Sequence, residues 1–301
     1  MQALRILGAS LASAMAHPRV LLTGYAVVTL PALAVVAPAY HAWRERLDHH
    51  PAAGLHVDQL LDTDLLRHEP ATVLRLAPAL IVVLVLGAYL SGGAVRTVAT
   101  GAPFRYESFL VEGARMFLRS LRLLAVGLVA ALLLGWGMRA LDAWLVGGWL
   151  HAREPGTWLA LVPEALGLLH AVLFLTLVFT AKGALAHLAA TERRSALAAF
   201  AVASGRLLRH PLQAGTLILG LALLWLLGSH GFGAATVYLL DVRGQVLPAF
   251  ATGQLGILWT QVVILASLLA ARRLVAGSGP ARVIELEAER DLADVTPPTR
   301  P

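Results

Sequence analysis

The 301-residue chain contains no cysteine, and charged residues are scarce. Without cysteine, disulfide bonds, thiolate metal sites and cysteine nucleophiles are excluded. Asp, Glu, Lys and Arg together make up 14% of the residues, whereas soluble domains have about 25%. Because a surface that faces water needs more charge than this, we exclude a soluble globular domain.

Motifs of common enzyme classes are missing as well. The chain has neither the G-x-x-x-x-G-K-[ST] loop of ATPases nor the G-x-S-x-G elbow of hydrolases, and no pair of acidic residues lies inside an apolar run. The sequence therefore predicts a protein that is not an enzyme, with no catalytic residue, no cofactor and no metal ion.

Long apolar runs are abundant instead: 58% of the residues are hydrophobic and the mean hydropathy is +0.72. A hydrocarbon core of about 30 Å needs about 20 helical residues, so each run can cross a bilayer once, the shortest with flanking residues. The sequence thus predicts an all-α membrane protein with six transmembrane helices. The runs are Val20 to Tyr40, Leu76 to Val95, Leu123 to Met138, Ala165 to Ala181, the residues between Arg209 and Asp241, and Val246 to Ala271.

Cationic residues are distributed unevenly around these runs. Of the 24 Lys and Arg residues, 17 lie in the N-terminus, after the second and fourth runs, or in the C-terminal tail. Cytoplasmic loops are rich in Lys and Arg, so we predict a multi-pass protein of the bacterial inner membrane with both termini in the cytoplasm. The net charge of +6 is explained by arginines at the cytoplasmic boundary, where they contact anionic lipid headgroups. No nucleic-acid partner is therefore predicted.

The start of the chain has a second interpretation. Ala37-Pro38-Ala39 fits a signal-peptide cleavage site at the end of the first apolar run. That run is longer than the about 7 to 15 apolar residues of a secretory signal, which favours a span that is retained.

The chain shows three copies of one unit, each with a short amphipathic stretch, a span, an outer loop and a second span. The copies cover about residues 1–104, 105–195 and 196–277, and residues 278–301 form an acidic, proline-containing cytoplasmic tail. We predict three parallel hairpins with interfacial amphipathic elbow helices that end at His17-Pro18, Arg119-Ser120 and His210-Pro211. A shared topology without duplication would produce the same pattern.

The second spans of the copies also correspond. They are predicted to open near Pro78, Pro163 and Pro248, because proline costs no hydrogen bond in the first turn of a helix.

The elbows carry the predicted contacts with lipids or partners. In the middle elbow, Phe109, Met116 and Phe117 can face acyl chains while arginines recur on the other side. Ordinary anchoring by positive charge at the cytoplasmic surface is the alternative interpretation. The candidate contact residues are Arg115, Arg119, Arg122, Arg206 and Arg209.

One segment resembles a known group of proteins. The residues from Tyr89 to Arg96, with the small-residue turn Ser91-Gly92-Gly93, precede an aromatic and basic stretch from Phe104 to Leu123. This order resembles poorly characterised six-span bacterial inner-membrane proteins, which are similar to the membrane domain of some glycerophosphodiester phosphodiesterases. The resemblance implies a helical membrane fold, and it carries over no catalytic residue.

Two polar residues inside the runs are candidate functional residues. His170 lies well inside an uncharged run, with Thr176 on the same approximate side and Gln261 in the last run as a partner. Intramembrane ionisable groups usually face a cavity or the bundle interior, so His170 is predicted to relay protons or bind a substrate. A neutral histidine bonded to a neighbouring helix is the alternative. Glu164 and Lys182, near the ends of the same run, are expected to be anchors.

The first outer loop, from His41 to Arg75, contains five histidines and several carboxylates. Their spacing matches no defined metal site, so we predict a solvated loop with a short helix near Val57 to Leu66.

Small residues recur at four-residue spacing in the third run. Gly127, Ala131 and Gly135 predict close helix packing, either within the chain or between copies.

Two functions remain open. The leading hypothesis is a non-enzymatic scaffold or accessory subunit whose partners are membrane lipids, another protein or a second copy of the chain. The alternative is a transporter or permease component for a small or lipid-like solute, with a cavity near His170.

Overall fold

The computed structural model describes residues 2–27, 29–30, 70–100, 104–145, 158–191 and 195–276, and these residues form helices and no strand. The outer loop from 41 to 69, the second half of the first apolar run and the tail from 278 lie outside the described residues. Residues 18–27 and 29–30 are helical. The longer elements are α1 (Gln2–Met15), α2 (Pro70–Thr100), α3 (Tyr106–Asp142), α4 (Trp158–Thr191), α5 (Ala196–Arg209), α6 (Pro211–Val237) and α7 (Val246–Ala276).

Five helical segments are long and apolar enough to cross a membrane. They match five of the six predicted runs, so the prediction of an all-α chain with membrane-spanning helices is confirmed to this extent. The segments are Ile81–Val98, Tyr106–Leu145, Leu161–Thr191, Pro211–Leu240 and Val246–Val275.

Proline determines where the two short helices end. Helix α1 ends at Met15, shortly before Pro18, and α5 ends at Arg209, with Pro211 as the first residue of α6. Proline has no backbone N–H and its ring clashes with the preceding turn, so it is favoured at the start of a helix and costs a backbone hydrogen bond inside one. Ser195 caps α5, because its hydroxyl oxygen accepts a hydrogen bond from the amide of Ala198 at 3.2 Å.

The middle copy differs from this prediction. Helix α3 runs without a break through Arg119 and Ser120, so the predicted helix end at this point is wrong. Neither residue is proline or glycine, and a serine caps a helix only where the backbone already leaves it. Pro163 likewise lies inside α4, five residues after Trp158, rather than at the start of the helix.

The chain divides into two compact units, one of Met1–Ala16 with Leu118–Pro301 and one of His17–Phe117. Helix α1 therefore belongs with the C-terminal helices.

In the larger unit, α6 and α7 form an antiparallel pair in close contact. Trp259 lies against Gly228, and its indole N–H donates a hydrogen bond to the carbonyl oxygen of Leu224 at 2.9 Å. Nearer the link between the helices, a Cβ on Gly256 would be 3.1 Å from Cβ of Phe232. Because glycine has no side chain, the aromatic rings can approach the backbone of the facing helix.

Helix α1 packs on this pair. The Leu7 side chain lies over Gly220 of α6, 2.9 Å from the position of a Cβ there. From α7, the Arg273 guanidinium donates hydrogen bonds to the hydroxyl oxygens of Ser10 at 3.3 Å and Ser13 at 3.1 Å. These contacts attach the first helix of the chain to the last.

Helix α5 packs through a face of small residues. Ala196, Ala199, Ala203 and Leu207 are buried. This face contacts α4 and α7 near Gly183 of α4. A Cβ on Gly183 would be 2.7 Å from Cγ2 of Val275 on α7 and 3.6 Å from Cβ of Ala203 on α5.

The smaller unit contains α2 and the first turns of α3. A Cβ on Gly93 of α2 would be 2.6 Å from the carbonyl oxygen of Phe109 in α3. Gly113 of α3 lies against Tyr89, whose hydroxyl donates a hydrogen bond to the carbonyl oxygen of Leu110 at 2.6 Å. The small-residue turn thus allows α2 and the first turns of α3 to touch.

The same pairing occurs in both units: the segment that opens one copy packs on the second span of another copy. Helix α5 packs on α4, the first turns of α3 pack on α2, and α1 packs on α7.

Candidate functional site

A groove of about 750 Å³ lies between α3 and α4 in the larger unit. It follows α3 over twelve residues, from Ala131 to Asp142, and these two ends are about 16 Å apart at 1.5 Å per residue. On the α4 side it reaches from Pro163 to His170. The groove is open along its side and is mostly apolar.

The charged residues of the groove lie at one end. Arg139 and Asp142 are one helical turn apart near the end of α3, and both are exposed. His170 is half-buried and lies on the α4 side. Within the part of the chain that the structure describes, these three side chains make no hydrogen bond or ion pair with each other or with any other residue. Their polar groups are therefore free to bind a ligand.

Tryptophans mark the level of the charged end. Trp136 lines the groove and is 73% exposed, and Trp144, just beyond Asp142, is 65% exposed. Tryptophan concentrates at membrane–water interfaces. This distribution fits an arrangement in which the charged end lies at the interface and the apolar end extends toward the bilayer centre.

His170 lines the same groove as Arg139 and Asp142, whereas its predicted partner does not. Gln261 is half-buried on α7 and is not among the groove residues. The Thr176 hydroxyl donates its hydrogen bond within α4, to the carbonyl oxygen of Val172 at 2.8 Å.

The small-residue stripe of α3 also contributes to the groove. Ala131 and Gly135 line it. A Cβ on Gly127 or Gly135 would have no heavy atom within 4 Å, apart from its own helix. The stripe therefore does not pack against another helix among the described segments, and packing between copies stays a prediction.

The predicted arginines are distributed over both units. In the smaller unit, Arg115 is 3.9 Å from a carboxylate oxygen of Glu112, and the other oxygen of Glu112 is 3.5 Å from Nε of Arg96. Arg115 therefore belongs to an intramolecular charge cluster. Among the others, Arg119 and Arg206 are half-buried, whereas Arg122 and Arg209 are exposed.

Helix α5 combines arginine with exposed leucine. Arg206 and Arg209 lie in its last turn, while Leu197 is 68% and Leu208 78% exposed. The buried face of the same helix is formed by small residues, so the leucines point away from the bundle.

Lys182 has a contact that sequence reasoning missed. Its ammonium donates a hydrogen bond to the hydroxyl oxygen of Ser267 on α7, and that hydroxyl donates to the carbonyl oxygen of Ile264 at 2.7 Å. The neighbouring Gly183 touches Val275, eight residues further along α7. Ser267 and Val275 are about 12 Å apart along α7, so the lysine side chain extends away from the basic end of α7 instead of toward it, as an anchor would.

A signal for this residue was present in the composition. Lys182 is the one lysine among 24 cationic residues, and all the others are arginine. The signal for Arg139 and Asp142 is weaker: two opposite charges one turn apart, flanked by Trp136 and Trp144.

Comparisons of the chain with protein-family models, with curated proteins and with solved structures found no match. The functional proposals therefore rest on the arrangement of the residues in this chain.

Proposed function

We propose that the protein is a non-enzymatic integral protein of the bacterial inner membrane that acts as a scaffold or accessory subunit and contacts lipids or a partner protein. The observation that carries this proposal is the two-sided surface of α5. Its small residues attach it to α4 and α7, while Leu197 and Leu208 face outward and Arg206 and Arg209 lie in its last turn.

The proposed topology has six spans arranged as three parallel hairpins, with both termini in the cytoplasm. Five long apolar helices support it, and the run from Val20 to Tyr40 supplies the sixth span. The excess of arginine on one side of this arrangement supports the orientation. In the same proposal, the chain is related to the six-span inner-membrane proteins that it resembles. Those proteins are similar to the membrane domain of some glycerophosphodiester phosphodiesterases.

In this arrangement α1 and α5 are elbows in the cytoplasmic interface, whereas the first turns of α3 continue its spanning helix. Exposed leucines of α5 insert among acyl chains, and arginines reach the headgroups. Each arginine near an anionic leaflet contributes about 1 kcal/mol. A partner protein or a second copy of the chain would use the same leucines and arginines.

Spin labels test the position of α5, since the chain has no cysteine and each introduced cysteine is unique. Leu197→Cys and Leu208→Cys are eleven residues apart, so a helix parallel to the membrane holds both labels at one depth, near the boundary of headgroups and acyl chains. A label at Leu227, in the middle of α6 and 62% exposed, serves as the deep control.

Power-saturation measurements with oxygen and with a water-soluble nickel complex report these depths. A label at Leu208 in bulk water would contradict the proposal. Depths for Leu197 and Leu208 that differ by the full length of the helix, about 16 Å, would contradict it as well.

The groove favours a second function, a transporter or permease component for a small or lipid-like solute. Its half-buried His170 lies beside a lateral opening of the bundle. Flux into proteoliposomes separates the two proposals. The scaffold proposal predicts no solute-specific flux, and a flux that His170→Ala abolishes would replace it with the transport function.

A further inference from the structure

We propose that the groove between α3 and α4 binds one membrane phospholipid with a zwitterionic headgroup, whose phosphate contacts Arg139 and whose ammonium contacts Asp142. The inference rests on the proposed function, in which α3 and α4 are membrane spans. It adds a defined lipid site on the opposite side of the membrane from the elbows.

Charge complementarity supports a zwitterionic headgroup. Arg139 and Asp142 are one turn apart on α3, where opposite charges commonly interact, yet they form no ion pair with each other or with other described residues. A phosphate next to an ammonium group satisfies both side chains at once. A lipid with only negative charge would satisfy Arg139 and be repelled by Asp142.

The length of the groove matches one leaflet. It extends about 16 Å along α3, and half of a hydrocarbon core is about 15 Å. With the headgroup at Arg139 and Asp142, the acyl chains lie along the apolar residues Leu132, Leu166 and Gly167.

Two glycines provide a matched pair of variants. A Cβ on Gly135 or on Gly137 meets no heavy atom within 4 Å, so both Gly135→Leu and Gly137→Leu should fold. Gly135 lines the groove and Gly137 does not. Both substitutions raise helix propensity equally, and only Gly135→Leu fills the groove.

Native mass spectrometry of the full-length protein, released from membranes of mixed phosphatidylethanolamine and phosphatidylglycerol with identical acyl chains, measures the retained lipid. The wild-type protein and Gly137→Leu should retain one lipid and prefer phosphatidylethanolamine about tenfold. For Gly135→Leu, the retained amount of both lipids should be about tenfold lower. Asp142→Asn should remove the preference, and Arg139→Gln should weaken the binding of both lipids. The control is Arg243→Gln, because Arg243 is exposed and lies outside the groove and outside α5.

Three results would overturn the site. Equal lipid retention by Gly135→Leu and Gly137→Leu would show that lipid binds elsewhere. An unchanged headgroup preference in Asp142→Asn would remove the role of that carboxylate. A wild-type dimer that contains no lipid and that dissociates on the Gly135→Leu substitution would show that the groove is an interface between copies. Because the spin-label depths of α5 are measured independently, any of these results would leave the scaffold proposal in place.

Discussion

Glycines lie on the facing surfaces of two helix pairs, α6 with α7 and α3 with α4, but the two pairs pack in opposite ways. Gly228 of α6 receives the Trp259 ring of α7, and Gly256 of α7 receives Phe232. Gly135 of α3 lines the groove, and nothing lies within 4 Å of a Cβ placed there. The first pair is closed, and the second leaves a groove.

The difference shows what a small residue contributes in a membrane. Because lipid tails are as apolar as the helices, helix association depends on close packing rather than on the hydrophobic effect. A glycine promotes that packing only when backbone or side-chain atoms of the facing helix approach it at the same level. Without such a contact, the glycine leaves space for another molecule.

Gly228→Leu tests the closed pair and should have the largest effect. The Trp259 ring must move, and its N–H then loses the carbonyl oxygen of Leu224. Overpacking and a lost buried hydrogen bond together should cost about 3 kcal/mol or more. Thermal unfolding in detergent measures the loss. Gly231→Leu is the control, since its Cβ would meet no atom within 4 Å, and equal unfolding temperatures for the two variants would contradict the closed pair.

Gly93→Ala extends the comparison to the smaller unit. Its Cβ would be 2.6 Å from the backbone oxygen of Phe109, so α2 and the first turns of α3 must separate. We expect a loss of about 1–3 kcal/mol in the free energy of unfolding. Gly87→Ala, with open space around it, should be neutral or stabilising. A stabilised Gly93→Ala variant would show that the contact does not hold α2 and α3 together.

Arg273→Met tests the attachment of α1 to the closed pair. The variant loses the hydrogen bonds to Ser10 and Ser13, and about 1 kcal/mol of stability. Hydrogen exchange should become faster in residues 2–15 and stay unchanged in α5. The control is Arg209→Met, because Arg209 is exposed. Faster exchange across all helices would mean that the arginine stabilises the whole unit instead.

Ser267→Ala should have the smallest effect. It removes the hydrogen bond from Lys182 to α7, and such bonds between membrane helices contribute about 0.6 kcal/mol on average. Thr216→Ala is the control, since the Thr216 hydroxyl bonds only within its own helix, to Leu212. Combining Ser267→Ala with Lys182→Met measures the coupling. Additive losses would show that the two side chains do not stabilise each other.

The helices were the most predictable part of this fold. Long apolar runs specify spanning helices, and Pro18 and Pro211 specify where the short helices end, because both signals act through the local backbone. The predicted end at Ser120 failed for the same reason: a serine caps a helix that has ended but does not end one.

The groove was less predictable, because its residues come together only through tertiary packing. The sequence identified His170 as a polar residue in an apolar run, but Arg139 and Asp142, which line the same groove, lie on another helix. The stripe of small residues that includes Gly135 is visible in the sequence. The open space beside Gly135 is visible only in the structure. The position of one helix against another depends on side-chain shape along both, which a single-sequence pattern does not specify.

The comparison between the closed and open pairs can be tested most directly by a cryo-electron microscopy map of the full chain, with a bound antibody fragment, in nanodiscs that contain phosphatidylethanolamine. The account predicts elongated density between α3 and α4 that ends at Arg139 and Asp142, and no such density between α6 and α7. In Gly135→Leu the density should disappear. A map in which α3 and α4 touch at Gly135, or in which another protein chain fills the space, would contradict the account.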